Sequence, residues 1–535
     1  MRAKACNRCR QWKTGCDADV AGPQGCTRCR DANARCVFGA NFRRAPKRRM
    51  LAELQEEVTR LRAITSTMDT GTGAVDTTSS LETNASPWPE DLTTAPDMLS
   101  FPTTQKPFQP KVLYRGSNNF QLTASQVNEL FRIYFCRCYP YLPFLMCRSP
   151  EEIYDRCPLL FWVICGVAST EMGRLQCEEA ARPYIANLFV PGDMSGTVET
   201  VQAFLILCMW PLPFTSQKSD PSFLYGGLAS QLALQIGLQR PAVEYPVSDP
   251  SFTPEDIAIR STTWIGCFIV NQILASRLGV PATIFADFSL LSSLDQATVP
   301  QQLSHLCSIS HLTIESAIAI GARASNPSGL ADPIPRISLI NIFATQFDEL
   351  RKTRFPHPTD FEEIFFLSSM LQLWSFAMHN DIPVSADTFH IAQRARQDAI
   401  RLIQVACEKN LALVPFYVCR SVCYAALLLY HIKLSPYNNV TDQVLDDHIE
   451  RAKQALQART APALAQFLST VTSPEHRDEF LVRRDRNSSH RWKMGAALMF
   501  DSNRAYTHMR QSNAFLFPEL IDLDGLFLDV SSGGC

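Results

Sequence analysis

Long apolar runs are missing from this sequence of 535 residues. No run reaches the 18 residues expected of a membrane-spanning helix without containing a charge or a proline, and the nearest candidate, residues 411–432, contains Pro415 and Arg420. The start of the chain, MRAKACNRCR, also lacks the apolar core of a secretory signal. We therefore expect no membrane partner and no oxidising compartment, so that the cysteines stay reduced.

Motifs that commonly mark enzymes are missing as well. All ten histidines lie at or beyond His305, none in an H-E-x-x-H pattern, and neither a G-x-S-x-G motif nor a P-loop is present. The segment Gly71-Thr72-Gly73 has no strand before it and no third glycine after it, as a dinucleotide-binding loop would. The sequence therefore predicts no enzymatic activity.

The charges are divided unevenly along the chain. Residues 1–49 contain 13 Lys or Arg against three Asp or Glu, a net charge of +10, and since the whole chain has −2 the remainder has −12. A basic N-terminal segment followed by an acidic body predicts that nucleic acid binds at one end of the chain only. The body, in a chain that is 46% hydrophobic and 19% charged, has the composition of a protein with a large core.

Six of the 19 cysteines form two copies of one spacing, C-x2-C-x6-C. They are Cys6, Cys9, Cys16, Cys26, Cys29 and Cys36. Thiolates at such spacing are typical zinc ligands, but three in each copy leave each ion one ligand short of tetrahedral coordination. The deficit closes if one thiolate from each copy bridges both ions. The spacing therefore predicts two structural zinc ions per chain; a disulfide knot, an ordinary zinc ribbon and chance are the alternatives.

The charge of such a cluster would be neutralised by its neighbours. Six thiolates and two divalent cations leave a net charge of about −2 by formal summation. The surrounding basic residues are Arg8, Arg10, Lys13, Arg28, Arg30 and Arg35. Because four thiolates on each zinc leave no open coordination position, metal catalysis is not expected there.

These residues resemble the fungal zinc binuclear cluster family of transcription factors, over the 31 residues from Cys6 to Cys36. The resemblance implies that Cys6 and Cys26 are the bridging ligands and that Lys13 reads a CGG triplet, with Arg10 among the DNA contacts. Trp12 and Gly15 stand where the family usually has Lys or Arg, which implies fewer phosphate contacts.

Residues 1–40 are therefore predicted to be the DNA-binding module, and residues 41–50 a basic linker that tracks phosphates and serves as a nuclear import signal. The basic residues of this linker are Arg43, Arg44, Lys47, Arg48 and Arg49. Their arrangement, FRR followed by KRR, resembles the leucine-biosynthesis regulator branch of the same family, as does the CRQxK start of the cluster.

A short coiled coil is predicted over residues 51–64. Its apolar positions, spaced by three, four and three residues, are Leu51, Leu54, Val58 and Leu61. Glu57 can face Arg62 of a partner chain. We expect a parallel homodimer that reads two half-sites, with an ordinary amphipathic helix as the alternative because only two heptads are present.

The rest of the chain is predicted to be a disordered linker over residues 65–115 and an all-α regulatory domain over residues 116–510, because Ser, Thr, Pro and Gly give way to helical periodicity. Thr123 with Gln126 indicates a capping box, followed by a helix that ends before Pro140, and Ser149 starts another helix in the same way. Further helices are predicted near residues 158–170, 198–210, 223–238, 254–277, 361–379, 387–409, 415–433 and 442–459.

Two stretches of this body, Tyr225–Pro241 and Arg260–Pro281, resemble the middle homology region of the same family. The resemblance implies a regulatory body and a small-molecule inducer. From the residues alone these are core helices that end at glycine and proline. The remaining 13 cysteines, mostly within apolar segments and without metal spacing, are expected to be reduced core thiols.

The tail, residues 511–535, mixes bulky apolar residues with acids. This composition is typical of an activation segment that folds onto the transcription machinery or a coactivator, and a last helix packed on the body is the alternative. The sequence as a whole predicts a nuclear, dimeric activator of metabolic or secondary-metabolite genes that binds paired CGG triplets in double-stranded DNA. A repressor, which deletion of 511–535 would distinguish, and a scaffold or enzyme with a zinc module are the alternatives.

Overall fold

The computed structural model describes two sets of residues, which belong to two compact units, Met1–Ala95 and Pro96–Cys535. In the first unit these are residues 5, 6, 9, 15–17, 25–31 and 35–37. In the second they are 113–476, except 117–119, 147, 189–196, 212–219, 241–252, 324, 325, 327, 380, 412, 439–441 and 458–461, together with 498, 499, 502, 503 and 506. Each unit is described by itself.

The first unit contains one short helix in its described part, α1 (Thr27–Asp31). The second begins with an antiparallel hairpin of β1 (Leu113–Arg115) and β2 (Gln121–Thr123), in which Tyr114 lies opposite Leu122. The strand β1 corrects the predicted linker 65–115, whose last three residues are ordered. A strand of three residues is too short to show the alternation of apolar and polar residues by which a strand is recognised in a sequence. The buried ring of Tyr114 holds the strand in place, and its hydroxyl donates a hydrogen bond of 2.8 Å to Glu151.

Fifteen α-helices follow in the described part of the second unit. They are α2 (Ala124–Ile133), α3 (Pro150–Arg156), α4 (Pro158–Ala168), α5 (Glu171–Asn187), α6 (Val198–Met209), α7 (Ser222–Gln235), α8 (Pro254–Leu278), α9 (Phe288–Ser293), α10 (Gln301–Gly321), α11 (Pro333–Arg354), α12 (Asp360–Ser375), α13 (Ala386–Cys407), α14 (Phe416–Lys433), α15 (Asp442–Gln457) and α16 (Pro462–Val471). The all-α body is thereby confirmed. The eight helices predicted from residue 158 onward all exist, with ends that shift by no more than a few residues.

Side-chain caps fix several helix starts. Thr123 and Gln126 form the predicted capping box of α2, and Ser149 caps α3 by accepting a hydrogen bond from the Glu152 amide. The first helix ends before Pro140, as predicted, but its last part is not α-helical. Helix α2 ends at Ile133, and the chain continues through a π-helical turn, Tyr134–Cys138, and a 3-10 turn.

Two glycines end helices as the sequence predicted. Gly279, after α8, has a φ of 67°, and Gly237, after α7, has a φ of 75°. Both values lie in the left-handed region that favours glycine. A third glycine, Gly226 in α7, lets that helix approach α8, because a Cβ there would lie 2.4 Å from Leu274 Cδ1.

Helices α8 and α10 are long and apolar enough to cross a membrane by length and composition. Their most apolar windows are 78% and 67% buried inside the protein, and the two helices pack against each other. Polar side chains in α8 find partners within the core, as when Gln202 donates to Thr263 over 2.9 Å. Both are therefore central helices of the body.

The described cysteines of the body are not joined in disulfide bonds. Nine are buried, namely Cys138, Cys157, Cys165, Cys177, Cys208, Cys267, Cys307, Cys419 and Cys423, whereas Cys407 is half-buried and Cys136 is exposed. Burial raises the pKa of Cys177 and of Cys423 to about 12. Such thiols are poorly reactive. The prediction of core thiols is confirmed for the nine buried cysteines, whereas Cys136 lies outside the core.

One partly buried carboxyl group is expected to make the stability of the body depend on pH. Trp374 Nε1 donates to Asp398 over 2.7 Å, but burial outweighs this bond and raises the pKa of Asp398 to about 6. An aspartate in an unfolded chain titrates near about 3.9. The folded protein therefore holds the proton more tightly, and its stability falls as the pH rises from about 4 to about 6.

We expect Asp398→Asn to raise the free energy of unfolding at pH 7.5 by about 1–2 kcal/mol and to leave it unchanged near pH 4. The amide oxygen still accepts from Trp374 and carries no charge at either pH. Urea denaturation of the full chain at both pH values measures the difference. Asp446→Asn, which removes an exposed partner of Lys433, is the control and should change little. An equal effect of Asp398→Asn at both pH values would contradict the assignment.

Candidate metal centre and nucleic-acid interface

The second cysteine copy is organised by α1. Cys26 precedes the helix, and its carbonyl accepts hydrogen bonds from the amides of Cys29, at 3.0 Å, and Arg30, at 3.1 Å. This single turn brings the two cysteines of the C-x2-C pair to the same side. It also directs Arg28 and Arg30 outward, where both are exposed.

The turn before α1 requires glycine. Gly25 has a φ of 87°, and a Cβ at this position would lie 2.6 Å from Cys36 Cβ. Any other residue would be strained and would also displace Cys36. Because Gly25 has no Cβ, Cys36, the last cysteine of the second copy, can approach Cys26, the first cysteine of that copy.

A polar contact joins the two copies. The Thr27 amide donates to Asp17 Oδ1 over 3.1 Å, and the Thr27 hydroxyl donates to Asp17 Oδ2. This hydroxyl holds the pKa of Asp17 below its usual value. Asp17 directly follows Cys16, so the carboxylate caps the start of α1 and links the end of the first copy to the second.

The six sulfurs gather into two groups of four. Cys6, Cys9, Cys16 and Cys26 form one group, Cys6, Cys26, Cys29 and Cys36 form the other, and the ligand atoms of each lie within 4.8 Å of one another. Cys6 and Cys26 belong to both groups. Each group therefore offers four sulfurs to one ion, although the chain supplies only six.

The distances between sulfurs suit zinc. The Sγ atom of Cys26 lies 3.9 Å from those of Cys6 and Cys9, and Cys6 Sγ lies 3.7 Å from Cys29 Sγ. A Zn–S bond of about 2.3 Å gives a tetrahedral edge of about 3.8 Å. A disulfide, by contrast, needs sulfurs about 2.05 Å apart. The residues present thus fit a two-zinc centre and not a disulfide knot.

Backbone amides support the sulfurs with an approximate twofold repetition. The Cys6 amide donates to Cys16 Sγ and the Cys26 amide donates to Cys36 Sγ, each over 3.4 Å. Burial opposes ionisation of the Cys6 and Cys26 thiols, but hydrogen bonds from Cys9 and Cys29, respectively, leave the pKa of each below its usual value. Ionised sulfurs are the form that binds a metal.

Exposure follows the same pattern. Cys6 and Cys26 are completely buried and Cys9 and Cys29 nearly so, whereas Cys16 and Cys36 are half-buried. Arg35, beside Cys36, is exposed. The described arginines around the centre thus face solvent, where a polyanion could reach them.

All of the predicted DNA contacts lie outside the described residues. These are Arg10, Lys13, Arg43, Arg44, Lys47, Arg48 and Arg49. The predicted dimerisation residues Leu51, Leu54, Val58 and Leu61, the tail 511–535 and the linker before residue 113 lie outside them too. Sequence reasoning missed Asp17, Thr27 and Gly25, although a glycine directly before the fourth cysteine was a signal for a tight turn.

Two family models match the chain. The Fungal Zn(2)-Cys(6) binuclear cluster domain matches residues 4–45, and the Fungal specific transcription factor domain matches residues 132–312. The first covers the sulfur cluster, and the second runs from α2 into α10. The family that the cysteine spacing indicated is thereby confirmed, and with it the two zinc ions that such a cluster holds.

Curated relatives carry matching descriptions. A putative transcription factor SEF1 of Kluyveromyces lactis is 28% identical over 63% of this chain and 30% of its own length. The transcriptional regulatory protein SEF1 of Candida albicans is 24% identical over 84% and 55%. The regulatory protein LEU3 of Saccharomyces cerevisiae is 25% identical over 65% and 47%.

The chain spans about a third to about half of the length of these relatives, from 30% to 55%. No solved structure matches it.

Proposed function

We propose that this chain, which carries both domains of the fungal Zn(2)-Cys(6) transcription factors, is a nuclear regulator that binds specific DNA sequences. The observation that carries the proposal is the pair of four-sulfur groups that share Cys6 and Cys26. A closed, six-cysteine centre of this kind has a structural use, which is to hold a short basic segment against DNA. It offers no coordination position for catalysis.

The zinc ligands in this proposal are the six cysteines, with Cys6 and Cys26 bridging. The two ions fix the fold of a module too small for an apolar core of its own, since in such modules metal binding supplies the folding free energy. The exposed Arg28, Arg30 and Arg35 then contribute positive potential toward phosphates.

We assign recognition of the bases to Lys13, together with Arg10. Contacts to phosphates are assigned to the linker residues Arg43, Arg44, Lys47, Arg48 and Arg49. A lysine can donate to the O6 and N7 acceptors of guanine in the major groove. Paired CGG triplets read by a homodimer follow from the predicted coiled coil over residues 51–64. The resemblance to the leucine-biosynthesis regulator branch favours triplets that face outward.

We further propose that the protein is an activator of metabolic or secondary-metabolite genes. The acidic, apolar composition of residues 511–535 supports this, because such segments fold onto grooves of partner proteins. The helical body is assigned a regulatory role that responds to a small-molecule inducer. Similarity to proteins described as transcription factors supports the absence of an enzymatic activity.

We expect Lys13→Ala to abolish the preference for CGG over mutated triplets, because a bidentate contact to guanine gives about 1–3 kcal/mol of discrimination, or roughly 5- to 150-fold. Fluorescence anisotropy with the full chain and matched and mutated duplexes measures this ratio directly. The comparison should be made at one salt concentration, since affinity for DNA varies steeply with salt.

The matched control is Arg48→Ala, which removes the same charge from the predicted linker. It should weaken binding to all sequences alike and reduce the salt slope by about one. If Lys13→Ala instead lowers affinity uniformly and leaves the preferred site unchanged, the assigned roles of base reading and phosphate contact are wrong.

A further inference from the structure

A cavity of about 100 Å³, partly open to solvent, lies where four helices of the body meet. It is lined by the end of α6 and by segments of α8, α12 and α14. This volume is several times the roughly 10–15 Å³ that a single water needs. A small organic ligand would fit.

Arg420, on α14, lines this cavity. Its Nη2 donates to the backbone carbonyl of Arg277 over 2.5 Å. Among the described residues this is its one hydrogen bond, and no carboxylate forms an ion pair with it. The guanidinium has five N–H donors, so most of its hydrogen-bonding capacity remains available to a ligand in the cavity.

Asp220, the carboxylate that acts electrostatically on Arg420, is already engaged. Asp220 Oδ2 lies 2.5 Å from Arg277 Nη2, and both side chains are buried. Asp220 Oδ1 also accepts from the amide and the hydroxyl of Ser222. Asp220 therefore neutralises Arg277 but forms no ion pair with Arg420, so the two neighbouring arginines have one carboxylate between them and carry one positive charge in excess.

This excess charge is costly without an anion. Burial, with repulsion by the neighbouring Arg277 as a smaller cause, lowers the pKa of Arg420 to about 9. Desolvated cations are expected to be paired in a stable protein. Arg420 is only partly exposed, and the cavity that it lines is a place where an anion could meet it.

The helix that carries Arg420 adds a second attraction for negative charge. Phe416 and Tyr417, in the first turn of α14, line the same cavity. No side chain caps this helix at Pro415, and its first turn contains no acidic residue. The positive end of its dipole therefore acts in the same direction as the guanidinium.

The remaining walls match an organic molecule. Gln272, Ser276 and Ser421 offer polar groups, and Leu274, Phe365 and Leu371 offer apolar surface. We propose that this cavity binds a small organic carboxylate through the guanidinium of Arg420. Its carboxylate pairs with that group near the start of α14, and its short carbon chain contacts the apolar wall.

The test uses the full chain without DNA, so the result stands whether or not the cluster reads DNA. Isobutyrate and its uncharged isostere isobutyramide, together with acetate, succinate and inorganic phosphate, are titrated by calorimetry and by thermal shift. We expect isobutyrate to bind at least tenfold more tightly than isobutyramide. Binding of phosphate alone, or of no carboxylate at all, would overturn the proposal.

Two variants locate the site. Arg420→Gln should weaken isobutyrate binding at least tenfold, whereas the surface control Arg132→Gln should leave it unchanged. Ser276→Leu fills the cavity without altering any charge and should also abolish binding, which keeps the test decisive if Arg420→Gln fails to fold. Undiminished binding by either folded cavity variant would place the carboxylate elsewhere and refute the assignment.

Discussion

Replacement of Cys26 by alanine is expected to release both zinc ions and to abolish specific DNA binding. The Cys26 sulfur belongs to both four-sulfur groups, so its loss leaves each ion with three ligands at most. In modules of this size metal affinity and folding are one equilibrium, worth about 10–16 kcal/mol for zinc-finger peptides, and the basic segment would lose its support. DNA affinity should fall to the non-specific level, by about a thousandfold or more.

Native mass spectrometry of the full chain counts the ions, and anisotropy with a CGG duplex measures the affinity. Cys16→Ala is the informative comparison, because Cys16 belongs to one group only, and it should retain at least one ion. Cys177→Ala, in the body, should retain both ions. One zinc ion in the unaltered protein, or a folded and zinc-loaded Cys26→Ala protein, would refute the shared-sulfur arrangement.

The metal centre could be predicted from sequence because coordination number is a counting constraint. Six cysteines in two equal copies admit few ways to give each zinc ion four sulfurs, and one of these places Cys6 and Cys26 in both groups. The spacing alone did not identify the shared pair, which came from family resemblance. Nor did it predict the Asp17–Thr27 contact, since residues ten apart meet only after the cluster has closed.

Several helices of the body were not predicted from the sequence. Helix α5 contains Pro183 and α11 begins with Pro333, residues that usually indicate a loop or an end. At a first helical position, however, proline is favourable, because its missing N–H has no partner there in any case. Helix α10 is buried on most faces and mixes Ser, Thr and His with its apolar residues, so it shows little amphipathic periodicity although it lies in the core.

Buried charges were also beyond prediction. Arg336 is completely buried, donates two hydrogen bonds to Asp381 and donates a third from Nε to the Ala331 carbonyl. Nothing in the local sequence distinguishes this arginine from a solvated one, because its partner lies 45 residues away. The hydrogen-bond partner of Arg420, the carbonyl of Arg277, is likewise distant in the sequence. Such residues become interpretable only when the packed helices are known.

The dimer gives the second large expected effect. Leu54 and Val58, at d and a positions of the predicted coiled coil, lie outside the described residues, and the heptad spacing of residues 51–61 predicts their role. We expect the double variant Leu54→Lys, Val58→Lys to bind zinc normally and to bind a single triplet weakly. Its affinity for a paired site should fall by about 10²- to 10⁴-fold, because the second contact loses its effective concentration.

Sedimentation equilibrium measures whether the protein is a dimer. Gel shifts on duplexes that differ in triplet spacing and orientation measure its affinity for paired sites. A variant with Ala52→Lys and Thr59→Lys adds the same two charges at outer b positions and should behave as the unaltered protein. The comparison separates loss of the apolar seam from added charge, which by itself would strengthen DNA binding. If the unaltered protein binds single and paired triplets equally well, it reads DNA as a monomer, and residues 51–64 are an ordinary amphipathic helix.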